Sequence, residues 1–206
     1  MPLQNRVTPF GDLVATSARG TLMGNRGGRI HDEHRTLGPR RWVSRQWICC
    51  VLDFKGRHRS VWGDSYTELF FLDEPTAFAA GHRPCFECRR RDAKAFADGW
   101  RQAARRDSAP SAADMDRVLH AQRLNGRKRR LHSLPLDTLP DGAFVASDDG
   151  FFAVRGDALL PWREEGYGPP APRPRGIVAE VLTPPAILGV LASGYAPRWH
   201  LSAGVG

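Results

Sequence analysis

A chain of 206 residues with 41% hydrophobic and 25% charged residues has the composition of a globular protein, which excludes wholesale disorder. It contains no run of about 18 apolar residues, which excludes a membrane-spanning helix, and its opening MPLQNRVTPFGDL lacks the apolar stretch of a secretory signal, so a cytoplasmic location is expected. The formal charge of +8 is uneven: residues 1–60 carry 11 basic and 4 acidic groups, residues 61–107 carry 8 of each, and Arg127, Lys128, Arg129 and Arg130 form a second basic cluster.

In chain order, residues 1–41 read as short strands and turns, with turn chemistry at Pro9-Phe10-Gly11-Asp12 and Asn25-Arg26-Gly27-Gly28. The run Met23–His31 is rich in glycine and arginine; it reads either as a backbone cradle for a phosphate or as a surface loop. Residues 42–55 are expected to form a strand, with Ile48, Cys50, Leu52 and Phe54 on one face and Trp47, Cys49, Val51 and Asp53 on the other. Lys55-Gly56-Arg57 then reads as a hairpin turn into a return strand over 58–62, with a third strand over 66–72. Asp73 has the position of an N-cap for a short helix from Glu74 to Ala80, with Pro75 in its first turn and Gly81 past its end. A longer helix over 86–106 would bury Phe86, Ala93, Phe96, Ala97 and Trp100. Residues 107–113 read as a linker between a 1–107 unit and a 108–206 unit, which are either separate or packed as one. The second unit should hold a helix over 114–124, a hairpin of 143–146 with 151–155, and a stiff proline-rich loop over 168–176. It should end in a strand over 177–182 and a helix capped by Thr183. The expected fold class is α+β, a small antiparallel sheet with packed helices followed by a strand and helix half.

The four cysteines fall in two tight clusters, Cys49-Cys50 and Cys85-x-x-Cys88. Without an export signal, that spacing favours thiol or metal chemistry over structural disulfides. A C-x-x-C pair at a turn into a helix supplies two zinc ligands, and the helix N-terminus stabilises the thiolates. Cys49 and Cys50 lie next to each other on a strand and so point to opposite faces, which lets at most one of them join Cys85 and Cys88 comfortably. His82, three residues before Cys85, and His58 are the histidines best placed to complete a site. Glu68 and the segment His31-Asp32-Glu33-His34 offer acid–base groups, and no Walker loop, Rossmann glycine pattern or nucleophile elbow is present.

The segment Tyr66–Cys88, a strand, a short helix ending Ala-Ala-Gly and then Arg-Pro-Cys-x-x-Cys before a second helix, resembles the N-terminal zinc-binding domain of the bacterial Ada alkylation-repair proteins over roughly residues 45–105. The resemblance implies a zinc-holding fold in which Cys85 and Cys88 are the second cysteine pair, and it implies a DNA partner. The first pair should fall near residues 54–62, where FKGRHRSVW has no cysteine, so the family's methyl-acceptor role has no residue to occupy and methyl transfer from a phosphotriester is expected to be absent.

The charge pattern suits a polyanion. The expected function is nucleic-acid binding, with DNA as the partner, in DNA repair or metabolism, around a zinc site. Arg26, Arg29, Arg40, Arg41, Arg45, Arg127, Lys128, Arg129 and Arg130 should line one face, and Trp42 is the tryptophan best placed to stack on bases. The alternatives are a nuclease or glycosylase using His31, Asp32, His34 and Glu68, or a protein-interaction adaptor. Convergence of His31, His34 and Glu68 in one cleft would favour the enzyme.

Overall fold

The computed structural model describes residues 1–57 and 60–204. Short apolar runs in the N-terminal part assemble a six-stranded sheet from β1 (Arg6–Val7), β2 (Leu13–Val14), β3 (Leu22–Arg26), β4 (Trp47–Cys50), β5 (Leu69–Phe71) and β6 (Arg83–Pro84), in the spatial order β2-β1-β5-β3-β4-β6. The sheet is mixed, because β1 with β5 and β4 with β6 run parallel while the other pairs are antiparallel.

Three expectations change here. The strand expected over 42–55 is confined to Trp47–Cys50, and residues 60–62 form no return strand; positions 58 and 59 lie outside the described residues. The reason is that β3 and β6 already occupy both edges of β4, and Trp62 has φ of 58°, which no strand accommodates. The first part of the glycine-rich run is not a loop: Met23–Arg26 belongs to β3, an interior strand between β5 and β4, and Gly27–His31 follow it. Gly24 is needed there for close approach, since a Cβ would lie 2.2 Å from the Ile48 carbonyl oxygen and 2.7 Å from the Phe71 ring.

Helix α1 (Glu74–Ala79) forms as expected, with the Asp73 carboxylate accepting from the Thr76 amide at 3.0 Å. Helix α2 (Arg90–Ala103) starts later than its apolar spacing suggests, because residues 85–88 form the cysteine turn; Ala93, Phe96, Ala97 and Trp100 face inward. Helix α3 (Ala112–Arg123) is capped by Ser111 and runs into a small hairpin of β7 (Leu124–Asn125) and β8 (Lys128–Arg129). The C-terminal sheet comprises β9 (His132–Pro135), β10 (Phe144–Ser147), β11 (Gly150–Arg155), β12 (Ala158–Arg163), β13 (Gly166–Tyr167), β14 (Ala171–Pro172) and β15 (Val178–Val181). The expected hairpin is the β10–β11 pair. Helix α4 (Pro185–Ala192) follows, capped at Pro184 rather than Thr183, whose hydroxyl instead accepts from the Phe144 amide at 2.9 Å.

The two halves share their cores. Phe78 and Phe96 pack with Met115, Leu119, Ile187 and Val190, while Leu72 and Ala79 pack with Phe144, Leu160 and Leu182. The start of α1 ties them polarly as well. Asp73 accepts from the Tyr167 hydroxyl at 2.9 Å and the His200 amide at 3.1 Å; Glu74 accepts from the Tyr195 hydroxyl and the Arg198 amide, both at 2.9 Å. Among the described residues no helix is long and apolar enough to cross a membrane.

Candidate metal centre and basic pocket

Strand register decides which of the predicted ligands meet. The parallel pairing of β4 with β6 sets Ile48 opposite Arg83 and Cys49 opposite Pro84, so the next residue, Cys85, arrives beside Cys50. The Cys85 amide donates to the Cys49 carbonyl at 3.0 Å and the Arg89 amide to the Cys85 carbonyl at 3.0 Å, closing the turn that brings Cys88 back. The ligand sulfurs of Cys50, Cys85 and Cys88 all lie within 4.8 Å of one another, close enough to hold a metal ion. Tetrahedral bonds of about 2.3 Å place sulfurs roughly 3.8 Å apart, so the trio suits a soft cation with small adjustment. The Glu87 amide donates to the Cys85 sulfur at 3.4 Å. The Cys50 and Cys88 thiols donate to Cys85 and, with this amide, hold its pKa well below the ordinary value. The same bonds, with Cys85 first among them and then Cys88, raise Cys50. Cys50 draws Cys88 down, but its bond to Cys85 and its burial raise it on balance.

The other candidate ligands are elsewhere. Cys49 points into the core beneath the sheet, where the Arg89 guanidinium donates to its sulfur at 3.2 Å and burial pushes its thiol up to about 12. Arg89 also meets Glu74 at 2.6 Å and Asp92 at 2.7 Å. His82 is not part of the cysteine group. The register that sets Cys85 beside Cys50 sets His82 beside Trp47, about 10 Å up the strand. Its ring lies 5.0 Å from Trp47 and 4.7 Å from Phe71, Arg26 donates to its Nε2 at 3.4 Å, and its Nδ1 has no partner among the described residues. Burial, then the charges of Arg26 and Arg123, hold its pKa well below 6.5. His58 lies outside the described residues. Glu87, exposed, pairs with Arg57 at 2.8 Å. A cavity of about 330 Å³ opens beside the three thiols, with Asn25, Phe54, Tyr66 and Glu68 in its lining.

Besides the three thiols, the cavity lining carries Glu68 and Glu87, and the Glu68 carboxylate accepts from the Trp62 amide at 2.8 Å. Of the four acid–base candidates, Glu68 alone lines it. His31 is buried, hydrogen-bonded to the Thr67 hydroxyl at 2.6 Å and the Gly63 carbonyl at 3.0 Å, and stacked on Trp62. Asp32 is exposed and accepts from the His34 and Thr36 amides, and His34 is exposed.

The basic residues divide into two sets. Arg26 is buried: its Nη2 donates to the Gly11 carbonyl at 2.8 Å, and its guanidinium lies 4.1 Å from the Trp47 ring. Arg129 is half-buried and anchored on the Ala79 and Leu182 carbonyls. These two therefore do not belong to an open face. Arg29, Arg40, Arg41, Arg45, Arg127, Lys128 and Arg130 are exposed. The β7–β8 hairpin leans on the loop before β4, where Arg127 donates to the Pro39 carbonyl at 3.1 Å. Between them lies a second cavity, of about 480 Å³. Sequence reading missed Arg123, which is fully buried, lies 3.8 Å from the Trp47 ring, and donates to the Gly81 and Arg45 carbonyls. Its place at the end of an amphipathic helix carries no signal of that burial. Compared with known proteins, the chain matches no family model, no curated protein and no solved structure.

Proposed function

We propose that this is a zinc protein in which Cys50, Cys85 and Cys88 hold one Zn²⁺ as thiolates, tying the end of β4 to the turn into α2. The observation that carries the reading is the convergence of three thiols from two distant segments within 4.8 Å. Three soft sulfur donors favour zinc over hard cations, and the adjoining cavity leaves room for a fourth ligand from solvent. Bound there, zinc would supply a structural cross-link, so that metal affinity and folding stability rise together. Metal analysis of the purified protein tests this. One zinc per chain is expected, lost in Cys50→Ser, Cys85→Ser and Cys88→Ser and kept in Cys49→Ser. A protein that purifies without metal and refuses added zinc would refute it.

A second reading, nucleic-acid binding with DNA favoured by the Ada resemblance, is supported by the exposed basic residues Arg29, Arg40, Arg41, Arg45, Arg127, Lys128 and Arg130. None of them forms an ion pair among the described residues. If about six phosphates are neutralised, the logarithm of duplex affinity should fall against log salt with a slope of about −5. Affinity indifferent to salt would remove this reading. A role in DNA repair rests on the resemblance alone. For the nuclease or glycosylase alternative, His31 and Glu68 meet on Trp62, which donates its amide to the Glu68 carboxylate at 2.8 Å and stacks on the His31 ring, while Asp32 and His34 are exposed.

A further inference from the structure

We infer that the cavity between Trp42 and the β7–β8 hairpin binds the phosphate of a nucleotide, held by Arg26, Arg41, Arg127, Lys128 and Arg129, with Trp42 set against the base. The inference deepens the polyanion reading by assigning it a site, and it is independent of the metal centre.

The five cations come from three separate segments: β3, the loop before β4, and the hairpin after α3. Asp12 is the single carboxylate in the lining. None of the five forms an ion pair among the described residues. Four guanidinium groups are instead held by neutral acceptors: Arg26 by the Gly11 carbonyl, Arg41 by Gly38, Arg127 by Pro39, and Arg129 by Ala79 and Leu182. Carbonyls fix where the charges sit without neutralising them, and Asp12 offsets only part of the charge on Arg26 and Arg129, so a dianion entering the cavity meets a preorganised, net positive field. The buried Nε of Arg129 has no acceptor among the described residues. Burial, then the charge of Arg129, lowers the Arg26 pKa to about 9, and burial lowers that of Arg129 to about 10; both remain cationic at neutral pH, and an anion would relieve the strain.

The volume of about 480 Å³ is ample for a small ligand. Guanidinium forks match phosphate oxygens, which favours phosphate over a monocarboxylate. Trp42 is half-buried, tilted by 51° to Trp47 and edge-on to His120, so neither neighbour covers it by parallel stacking. An aromatic base can take that position.

The metal-replete protein is titrated with adenosine monophosphate, inorganic phosphate and adenosine, followed by tryptophan fluorescence and by heat. Adenosine monophosphate should bind, phosphate should compete with it, and adenosine should bind about ten-fold or more weakly. Arg41→Glu and Lys128→Glu change exposed side chains, so each should keep the melting temperature and metal content yet weaken the nucleotide about ten-fold. Trp42→Ala should weaken the nucleotide but not inorganic phosphate. A single-stranded oligonucleotide that displaces the nucleotide identifies a nucleic-acid phosphate as the source; one that does not identifies a free nucleotide. Absence of nucleotide and phosphate binding at millimolar concentration, or binding that both charge reversals leave intact, would overturn the inference. Oligonucleotide binding insensitive to both variants would overturn the site while leaving the polyanion reading standing.

Discussion

Cys49 and Cys50 share a strand, and the period of two sends one sulfur into the core and the other toward Cys85 and Cys88. Cys49 is wholly buried, and its thiol, raised to about 12 by burial, stays protonated at neutral pH. Both thiols are raised, but Cys49 is wholly buried and Cys88 half-buried, so Cys49 should resist alkylation under conditions that modify Cys88; mass mapping after brief iodoacetamide treatment of metal-stripped, folded protein reads this. Cys49→Ala should keep the metal and cost about 1–2 kcal/mol in denaturant unfolding, by removing a packed sulfur and the Arg89 contact. The opposite orientation of the two cysteines was legible in the sequence. Which face meets Cys85 was not, because that depends on the register of β6 against β4. The same register explains why His82, close to Cys85 in sequence, lies among Trp47, Phe71 and Arg26 instead.

Elements were legible in proportion to their length and caps. Asp73 with Pro75 announces α1, and the apolar stripe of Ala93, Phe96, Ala97 and Trp100 announces α2. The N-terminal strands are two to five residues long, too short for a period of two to be read, so the sequence shows short strands and turns over 1–41 without marking β3 among them. Its glycine reports a neighbour rather than a ligand. Gly24 pairs with Cys49 on one side and Leu69 on the other, and a methyl group there would strike the Ile48 carbonyl and the Phe71 ring at once. Neither is the free end of a flexible chain. Gly24→Ala should cost about 3 kcal/mol in urea unfolding and loosen the cluster of Cys50, Cys85 and Cys88, because β4 must move away from β3. An alanine variant of unchanged stability would show that the strands are not packed this closely.

Across the whole molecule, buried charge dominates the expected response to pH. His82 is the clearest term: burial and the Arg26 and Arg123 charges keep its pKa well below 6.5, so it is neutral in the folded protein. In the unfolded chain it titrates near 6.5. Below that value the unfolded state binds the extra proton, so stability is fully present above about pH 6.5 and is lost as pH falls toward the folded pKa. His120 and His132, both also lowered by burial, act in the same direction with less weight because they are half-exposed. Asp73 and Glu74 act in the opposite sense. Burial raises both, so their contribution is greatest when protonated and is lost as pH rises through their folded values. The terms separate by substitution. His82→Gln lowers stability at every pH by disturbing the packing around Trp47, yet it should shrink the loss of stability between pH 7.5 and 5.5 relative to the native chain, with metal content matched. Urea unfolding at the two pH values measures that difference directly. An unchanged difference would mean that His82 already carries a proton in the fold, and that the buried cluster of Arg26, Arg123 and His82 holds one more positive charge than its geometry allows.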